Sequence, residues 1–296
     1  GAAADGALPL AFDTSKADAR KTWIQAHDPA DFLDYREDAC SLQDYVDREL
    51  RHFSVYDNER ALADAVDGFK PSQRKVMWVM LDRNVTSRTK VSDVAADISQ
   101  RSQYHHGPAS LEGTIVAMAQ SYVGARNVPL LVDDGQFGSR ISDKPAASRY
   151  IGTRLQPGLA RAIFRAEDDP LLDYLEEEGK GIEPRRFWPV LPMVLVNGTH
   201  GIGTGFSTDV PPCDLLSVTA AVRAKITGVG SSAALEPHFR GFKGTMTQEE
   251  PLKYMCAGVA TRTSDTVVTV TELAPGTTVD AFVEDLIKRN VIGSAD

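Results

Sequence analysis

Three segments with helical spacing follow one another between residues 72 and 122, and they limit what this chain can fold into. In the first, residues 72–83, apolar side chains recur on one side and leave Arg74 and Lys75 available to point elsewhere. Pro71 suits the first turn of that helix. The other two segments are residues 92–101 and 108–122. The spacing therefore predicts a core of three helices.

A glycine-punctuated stretch follows these helices. The apolar residues 130–132 lead into a turn sequence at 133–135 and then into residues 136–141. Helices followed by such a stretch predict a helix-turn-helix core with a β-wing, and Tyr150 is expected just after that wing.

The chain before this core divides at about residue 41. Residues 1–40 are rich in Ala and Asp and are expected to be a connector, and Ser41 is a candidate N-cap for the first packed helix. Asn58 is expected to cap a second helix over residues 59–66, which Gly68 ends.

Beyond residue 166 the helical pattern is interrupted by prolines. Residues 193–196 and 267–271 are expected to be strands, and residues 279–289 a helix. Together with the helical core, this predicts an α+β fold with an elongated accessory domain in the second half.

The charge distribution is uneven. The net charge of −9 by itself argues against a nucleic-acid partner. Residues 70–106, however, hold seven Lys or Arg against three Asp, and residues 131–165 hold six against three acids. Residues 167–178 hold seven acids and no base. A DNA-sized ligand is therefore expected on one surface only.

Cysteine usage and hydropathy bound the cellular setting. The three cysteines lie far apart without a CxxC pair, which argues against a zinc site and a disulfide framework and favours a reducing compartment. No apolar run approaches the length of a membrane helix. Because the chain lacks an initiator Met, we expect it to be a fragment of something longer.

Tyr150 is the candidate nucleophile. An arbitrary tyrosine in such a place is most often a half-buried residue at a strand end. Here Lys144, Arg149 and Arg154 surround it in sequence, and cations favour a phenolate and bind phosphate. A phenol attacks poorly at neutral pH without such help. The pattern indicates a tyrosine that faces a phosphodiester.

Two other segments each leave alternatives open. Residues 104–107, which include His105 and His106, are a structural polar cluster, a phosphate contact or, with least support, a metal site. The glycine-rich residues 197–205 fail the GxGxxG pattern because Phe206 stands at the third glycine. They either form a tight turn with close backbone packing or expose Ile202 as an apolar wedge between DNA bases.

Taken together, these segments resemble the type IIA DNA topoisomerases, and the eukaryotic-type topoisomerase II more closely than the bacterial gyrase A subunit. The resemblance covers nearly the whole chain in one order. The segments that carry it are residues 10–12, Arg60, residues 67–76, 104–107, 135–140, 149–151, 191–198, 201–205, 242–245 and 271–273.

The resemblance implies that Tyr150 attacks a DNA phosphodiester, becomes joined to the 5′ phosphate and leaves a 3′ hydroxyl that later reverses the reaction. Arg149 would stabilise the transition state. Ile202 would wedge into the gate duplex and bend it. The residues implied to bind or polarise DNA near the scissile phosphate are Arg60, Asp67, Lys70, Arg74, His105, His106 and Arg140. No metal ligand is expected in this chain.

The resemblance also implies a domain order. Residues 41–165 would be a winged-helix DNA-cleavage domain, and residues 166–296 a partial tower domain of α/β structure. The approach to the Arg-Tyr pair, residues 144–149, is one residue shorter than is usual in the family. Thr199 and His200 replace a usual Ala-Glu, and Phe206 a usual Trp.

The implied partners lie outside this chain. They are double-stranded DNA, a second copy in a homodimer, and the TOPRIM and ATPase regions of the parent protein, which would bind Mg²⁺ and ATP. The fragment alone is expected to be inactive. The nucleus is the expected location, with a viral replication site in the host cytoplasm as the alternative. The competing function is a DNA-binding and bending module without chemistry.

Overall fold

The computed structural model describes residues 4–230 and 234–289. The helices are α1 Ala4–Phe12, α2 Ala17–Gln25, α3 Leu42–Tyr45, α4 Arg51–Ala61, α5 Pro71–Asp82, α6 Val91–Arg101, α7 Pro108–Ala119, α8 Leu159–Ile163, α9 Met193–Val196, α10 Leu215–Thr227 and α11 Val279–Lys288. The strands are β1 Thr89–Lys90, β2 Gly152–Thr153, β3 Tyr174–Glu177, β4 Lys180–Pro184, β5 Thr199–Ile202, β6 Ser207–Val210, β7 Thr245–Glu250, β8 Lys253–Ala257, β9 Val259–Arg262 and β10 Val268–Glu272. The strands pair in twos, so the fold is α+β, as predicted.

The chain forms two compact units. One contains Gly1–Asp64 and Thr199–Asp209, and the other contains Ala65–Gly198 and Val210–Asp296. This division differs from the predicted one, which set residues 1–40 apart as a connector. The reason is local packing, since Ala7 and Trp23 share a hydrophobic cluster with Val46.

The smaller unit begins its main helical run as the sequence predicts. The Ser41 side chain accepts a hydrogen bond from the Asp44 amide at 3.0 Å, which confirms the N-cap. The run continues through the π-helical segment Val46–Leu50 into α4. The expected cap at Asn58 and the helix over residues 59–66 are wrong, because α4 passes through Asn58 and ends at Ala61.

The larger unit is centred on α5, α6 and α7. All three predicted helices are confirmed to within three residues at each end. Their inward faces are fully buried at Val76, Met80, Ile98, Leu111 and Ile115. Pro71 is the first residue of α5, where its missing N–H costs nothing.

The stretch that was expected to form a wing is joined to the returning chain by isolated bridges, and the wing itself stays a prediction. Residues 131 and 134 face residues 155 and 152 through antiparallel bridges, and β2 pairs with β1. Residues 136–141 are not a strand, because Gly135 and Gly138 have φ values of +125° and +95°. Tyr150 therefore lies near the end of the long connection over residues 135–151, just before strand β2.

Among the later elements, two agree with the sequence-based prediction and a third differs from it. The strand at 267–271 and the helix at 279–289 are confirmed within one residue as β10 and α11. Residues 193–196 form the short helix α9 and not a strand. A four-residue apolar run fits either structure, so periodicity could not decide it. No helix in the described part of the chain combines the length and apolar content that crossing a membrane requires.

Candidate functional site

Tyr150 stands at the end of a connection that is fixed to the helical core. Its amide donates to the Ala147 carbonyl at 2.9 Å and closes a turn. The next residue, Ile151, is buried, and its carbonyl accepts from the Val91 amide at 3.0 Å, at the start of α6. Tyr150 itself is 67% exposed. The phenol is thus presented to solvent from an anchored backbone.

Arg149 covers the tyrosine ring. Its guanidinium carbon lies 4.7 Å from the centroid of the Tyr150 ring, within cation–π range. Both side chains are exposed. A positive charge beside the phenol attracts an approaching phosphate. The two residues that the sequence singled out are therefore in contact, and their catalytic roles stay a prediction.

Arg88, which sequence reasoning counted only as one positive charge, also reaches the tyrosine. Its Nη2 donates to the Tyr150 carbonyl at 3.2 Å, and its Nε lies 3.2 Å from Asp134 Oδ1. The side chain runs across Gly152, where a Cβ would lie 2.7 Å from Arg88 Cγ. Arg154 pairs with Asp134 from the other side at 3.4 Å. No local pattern signals this network, because Arg88 and Tyr150 are 62 residues apart.

Asp67 and Arg74 form an ion pair inside the larger unit. Asp67 is 0% exposed and Arg74 7%, with Arg74 Nε 2.7 Å from Asp67 Oδ2. The carboxylate also accepts from the Phe69 and Phe187 amides at 2.9 and 3.0 Å. The geometry places this pair among backbone groups of the fold, and the DNA-contacting roles of Asp67 and Arg74 stay a prediction.

The expectation that Arg74 and Lys75 are left to point elsewhere is therefore wrong. Lys75 Nζ lies 2.8 Å from Glu183 Oε2, and both side chains are largely buried. The helix α5 is packed on more sides than its apolar stripe indicates, so its cations turn inward and require buried acids.

The two histidines lie just before α7. His105 pairs with Glu177 of β3 through Nε2. His106 stacks edge-on to Tyr104 with the ring centroids 5.3 Å apart. Within the described ranges, no group of three or more His, Cys, Asp or Glu is placed to hold a metal ion. Of the alternatives for this segment, the polar cluster is the one whose contacts are visible.

Arg140 is held by backbone from the second half of the chain. Its Nη1 donates to the carbonyls of Ala274 and Thr277 at 3.2 and 3.0 Å. Its Nη2 donates to the Leu273 carbonyl and lies 3.1 Å from Glu272 Oε1. These acceptors tie Arg140, and with it the connection over residues 135–151, to the second half of the chain, and the DNA-binding role of Arg140 stays a prediction.

The remaining predicted cations are more open. Lys70 is half-buried at the N-cap of α5, and burial together with the nearby charge of Arg126 lowers the pKa of Lys70. Arg60 is exposed in the last turn of α4, within the smaller unit.

Ile202 lies at the tip of the β5–β6 hairpin and is 72% exposed. Close backbone packing holds the hairpin on α4. A Cβ on Gly201 would lie 2.2 Å from the Ala61 carbonyl oxygen, and one on Gly203 would lie 2.2 Å from Asn58 Oδ1. The tight-turn interpretation of this segment is confirmed, and the wedge role of Ile202 stays a prediction.

Two family models match the chain. The model for the DNA gyrase/topoisomerase IV A-type subunit matches residues 60–293. The model for the C-terminal associated domain of TOPRIM matches residues 1–58. The second match includes residues 1–40, which were expected to be a connector.

Named relatives match at similar levels. The chain is 40% identical to DNA topoisomerase 2 of Saccharomyces cerevisiae over 282 residues, which cover 95% of the chain and 20% of the yeast protein. It is 41% identical to DNA topoisomerase 2 of Trypanosoma brucei brucei over 287 residues, 94% of the chain and 23% of that protein. The chain thus spans about a fifth of the length of these relatives.

A solved structure has the same fold. The crystal structure of the Plasmodium falciparum topoisomerase II DNA-binding, cleavage and re-ligation domain superposes with a TM-score of 0.84 at 34% identity. The superposition covers 99% of the chain and 41% of that structure's chain.

Proposed function

The chain belongs to the type IIA DNA topoisomerase family, and we propose that it is the DNA-binding and cleavage segment of a type II enzyme. The observation that carries the proposal is the exposed Tyr150 with the Arg149 guanidinium 4.7 Å from its ring, on a connection anchored to the helical core. A module that only binds DNA has no evident need for this pair.

The proposed reaction is a phosphoryl transfer. The Tyr150 phenol gives up its proton as its oxygen attacks the phosphorus, the bond from phosphorus to the 3′ oxygen breaks, and that oxygen takes a proton to become a 3′ hydroxyl. The DNA is left joined to the protein as a 5′-phosphotyrosine ester. Rejoining runs the same steps backwards, so no water is consumed. Arg149 offsets the charge that develops on the phosphate oxygens.

We assign the domains by the same resemblance. The helices α5 to α7 with the β1–β2 pair form the winged-helix part, within residues 41–165, and the paired strands and helices over residues 166–296 begin the tower. The antiparallel contacts of residues 131 and 134 with 155 and 152 support a wing that carries Tyr150 on its connection.

Cofactors and partners are proposed for the parent protein. Phosphoryl transfer commonly uses Mg²⁺ to neutralise charge. By the family resemblance, we place Mg²⁺ in the TOPRIM region and ATP in the ATPase region of the parent. Two copies would cut opposite strands of double-stranded DNA. The eukaryotic relatives favour the nucleus, and nothing supports the viral alternative.

Covalent trapping separates the two candidate functions. The full-length parent is mixed with end-labelled duplex and Mg²⁺ and then denatured with detergent. A cleavage enzyme leaves protein attached to the 5′ end of the cut strand. A DNA-binding module releases all of its DNA, and that result would reject the proposed chemistry.

Ile202→Ala is expected to reduce DNA bending with little loss of affinity. The variant removes the exposed apolar group that would enter the base stack, and a wedge is what offsets the cost of unstacking. End-to-end energy transfer in a labelled duplex measures the bend. Ile226→Ala, at an equally exposed isoleucine on α10, is the matched control and should leave the bend unchanged. Equal bending by all three proteins would remove Ile202 from this role.

A further inference from the structure

Arg126 is a half-buried cation without an acid. It follows α7, and its Nε donates to the Ala117 carbonyl at 3.3 Å. Among the residues that the structure describes, no carboxylate forms an ion pair with it, and burial lowers its pKa. A charge removed from water is normally paired, because its desolvation otherwise goes uncompensated. No acid of the described residues therefore compensates the partly buried charge of Arg126.

A second cation lies nearby, since the Lys70 amide donates to Gln73, which lines a cavity together with Arg126. Lys70 is also half-buried, and in the described part of the chain its ammonium has no protein acceptor. Burial and the charge of Arg126 both lower the pKa of Lys70. Two like charges that share a partly buried site repel one another, and an anion between them would reverse the sign of that interaction.

The polar side chains that line a cavity with Arg126 have their acceptor oxygens occupied by other groups. Arg126 lines a small cavity of about 20 Å³ with Gln73, Asn197 and apolar or glycine residues. The Gln73 carbonyl oxygen accepts from the Lys70 amide at 2.9 Å, which leaves its NH₂ group to donate. Asn197 is occupied by both backbone groups of Val128, at 2.8 and 2.9 Å. No carboxylate lines the cavity within the described residues.

We propose that Arg126 and Lys70 together bind one phosphate group of the DNA backbone, with the Gln73 amide as a third donor. The proposal rests on the proposed function and adds Arg126 to it. A guanidinium offers paired N–H donors that suit phosphate oxygens. The cavity has room for a single oxygen atom and not for a whole phosphate. The cavity therefore suits a phosphate that inserts one oxygen and otherwise remains at the protein surface, as a phosphate of the DNA backbone would.

Salt-dependent binding tests the proposal in the full-length parent. Duplex affinity is measured between about 50 and 200 mM salt, the range over which phosphate contacts dominate the change. Arg126→Met is expected to lower the slope of log affinity against log salt by about one, the value of one lost phosphate contact. Arg126→Lys should restore part of the slope. Arg262→Met, at an exposed arginine of β9, is the matched control and should leave it unchanged.

Two further variants show whether the cations share one phosphate. Lys70→Met should give a similar loss, and the double variant should lose less than the sum of the two single losses. Strict additivity would mean separate contacts and would contradict a shared phosphate.

Stability without DNA provides a second readout. Arg126→Met removes a half-buried charge that has no partner, so its melting temperature is expected to equal or exceed that of the wild type. A clear fall would assign Arg126 a structural role through its bond to Ala117 and would count against the proposal.

The outcomes separate the inference from the function on which it rests. If the wild type binds duplex DNA and Arg126→Met binds with the same slope, the inference fails alone. If the wild type shows no salt-dependent duplex binding, the proposed function fails with it. If inorganic phosphate stabilises the wild type but not Arg126→Met, while the DNA slope is unchanged, the site takes a free anion and the assignment to DNA is overturned.

Discussion

Tyr150→Phe is expected to abolish the denaturant-stable protein–DNA adduct of the parent enzyme while leaving duplex affinity nearly unchanged. The variant removes only the attacking oxygen and keeps the ring on which Arg149 lies. Because the side chain is 67% exposed, the free energy of unfolding should change by no more than about 0.5 kcal/mol. Gel analysis after detergent treatment measures the adduct, and filter binding measures the affinity.

Tyr45→Phe is the matched control, since Tyr45 is another exposed tyrosine on a short helix of the smaller unit. It should form the adduct at the wild-type level. Adduct formation by Tyr150→Phe, or its loss in Tyr45→Phe, would contradict the assignment of the nucleophile.

Asp67→Ala is expected to cause the largest loss of stability. It leaves the Arg74 guanidinium buried without its acid and removes the acceptor of the Phe69 and Phe187 amides. Breaking a buried pair in this way costs about 3 to 5 kcal/mol. Urea unfolding followed by circular dichroism measures the loss.

Asp265→Ala is the control for this prediction, because it breaks the exposed pair between Arg262 and Asp265. A surface pair contributes at most about 1 kcal/mol, so the unfolding midpoint should move little.

Arg74→Met addresses the phosphate role implied by the family resemblance. A variant that unfolds at the wild-type urea concentration yet loses DNA affinity would support a DNA-binding role for Arg74.

Local signals in the sequence predicted those elements that local chemistry determines. Pro71 at the start of α5 and Ser41 as an N-cap act over one helical turn, and both are confirmed. Asn58 carries the same capping chemistry, but its amide donates to the Thr204 carbonyl, 146 residues away, and the helix continues through it. The strand prediction for residues 193–196 failed for a different reason. A run of four apolar residues is too short to show either the helical or the strand period.

In the candidate site, too, contacts between sequence neighbours could be predicted and long-range contacts could not. Arg149 and Tyr150 are neighbours in sequence, so their pairing could be predicted. The acceptors that hold Arg140 lie more than 130 residues further on, and nothing near Arg140 indicates them. The inward turn of Arg74 depends on Asp67 being buried, which a single sequence does not show. The sequence does not single out Arg126, because an arginine without an acidic partner is unusual only where it is buried, and burial is not visible in a single sequence.

The most direct test of the central claim is to identify the residue that becomes joined to DNA. The adduct of the full-length parent is trapped with detergent, digested with nuclease and trypsin, and mapped by mass spectrometry. The account predicts one modified peptide, with a nucleotide joined through its 5′ phosphate to Tyr150. A nucleotide on any other residue, or a link through a 3′ phosphate, would contradict it.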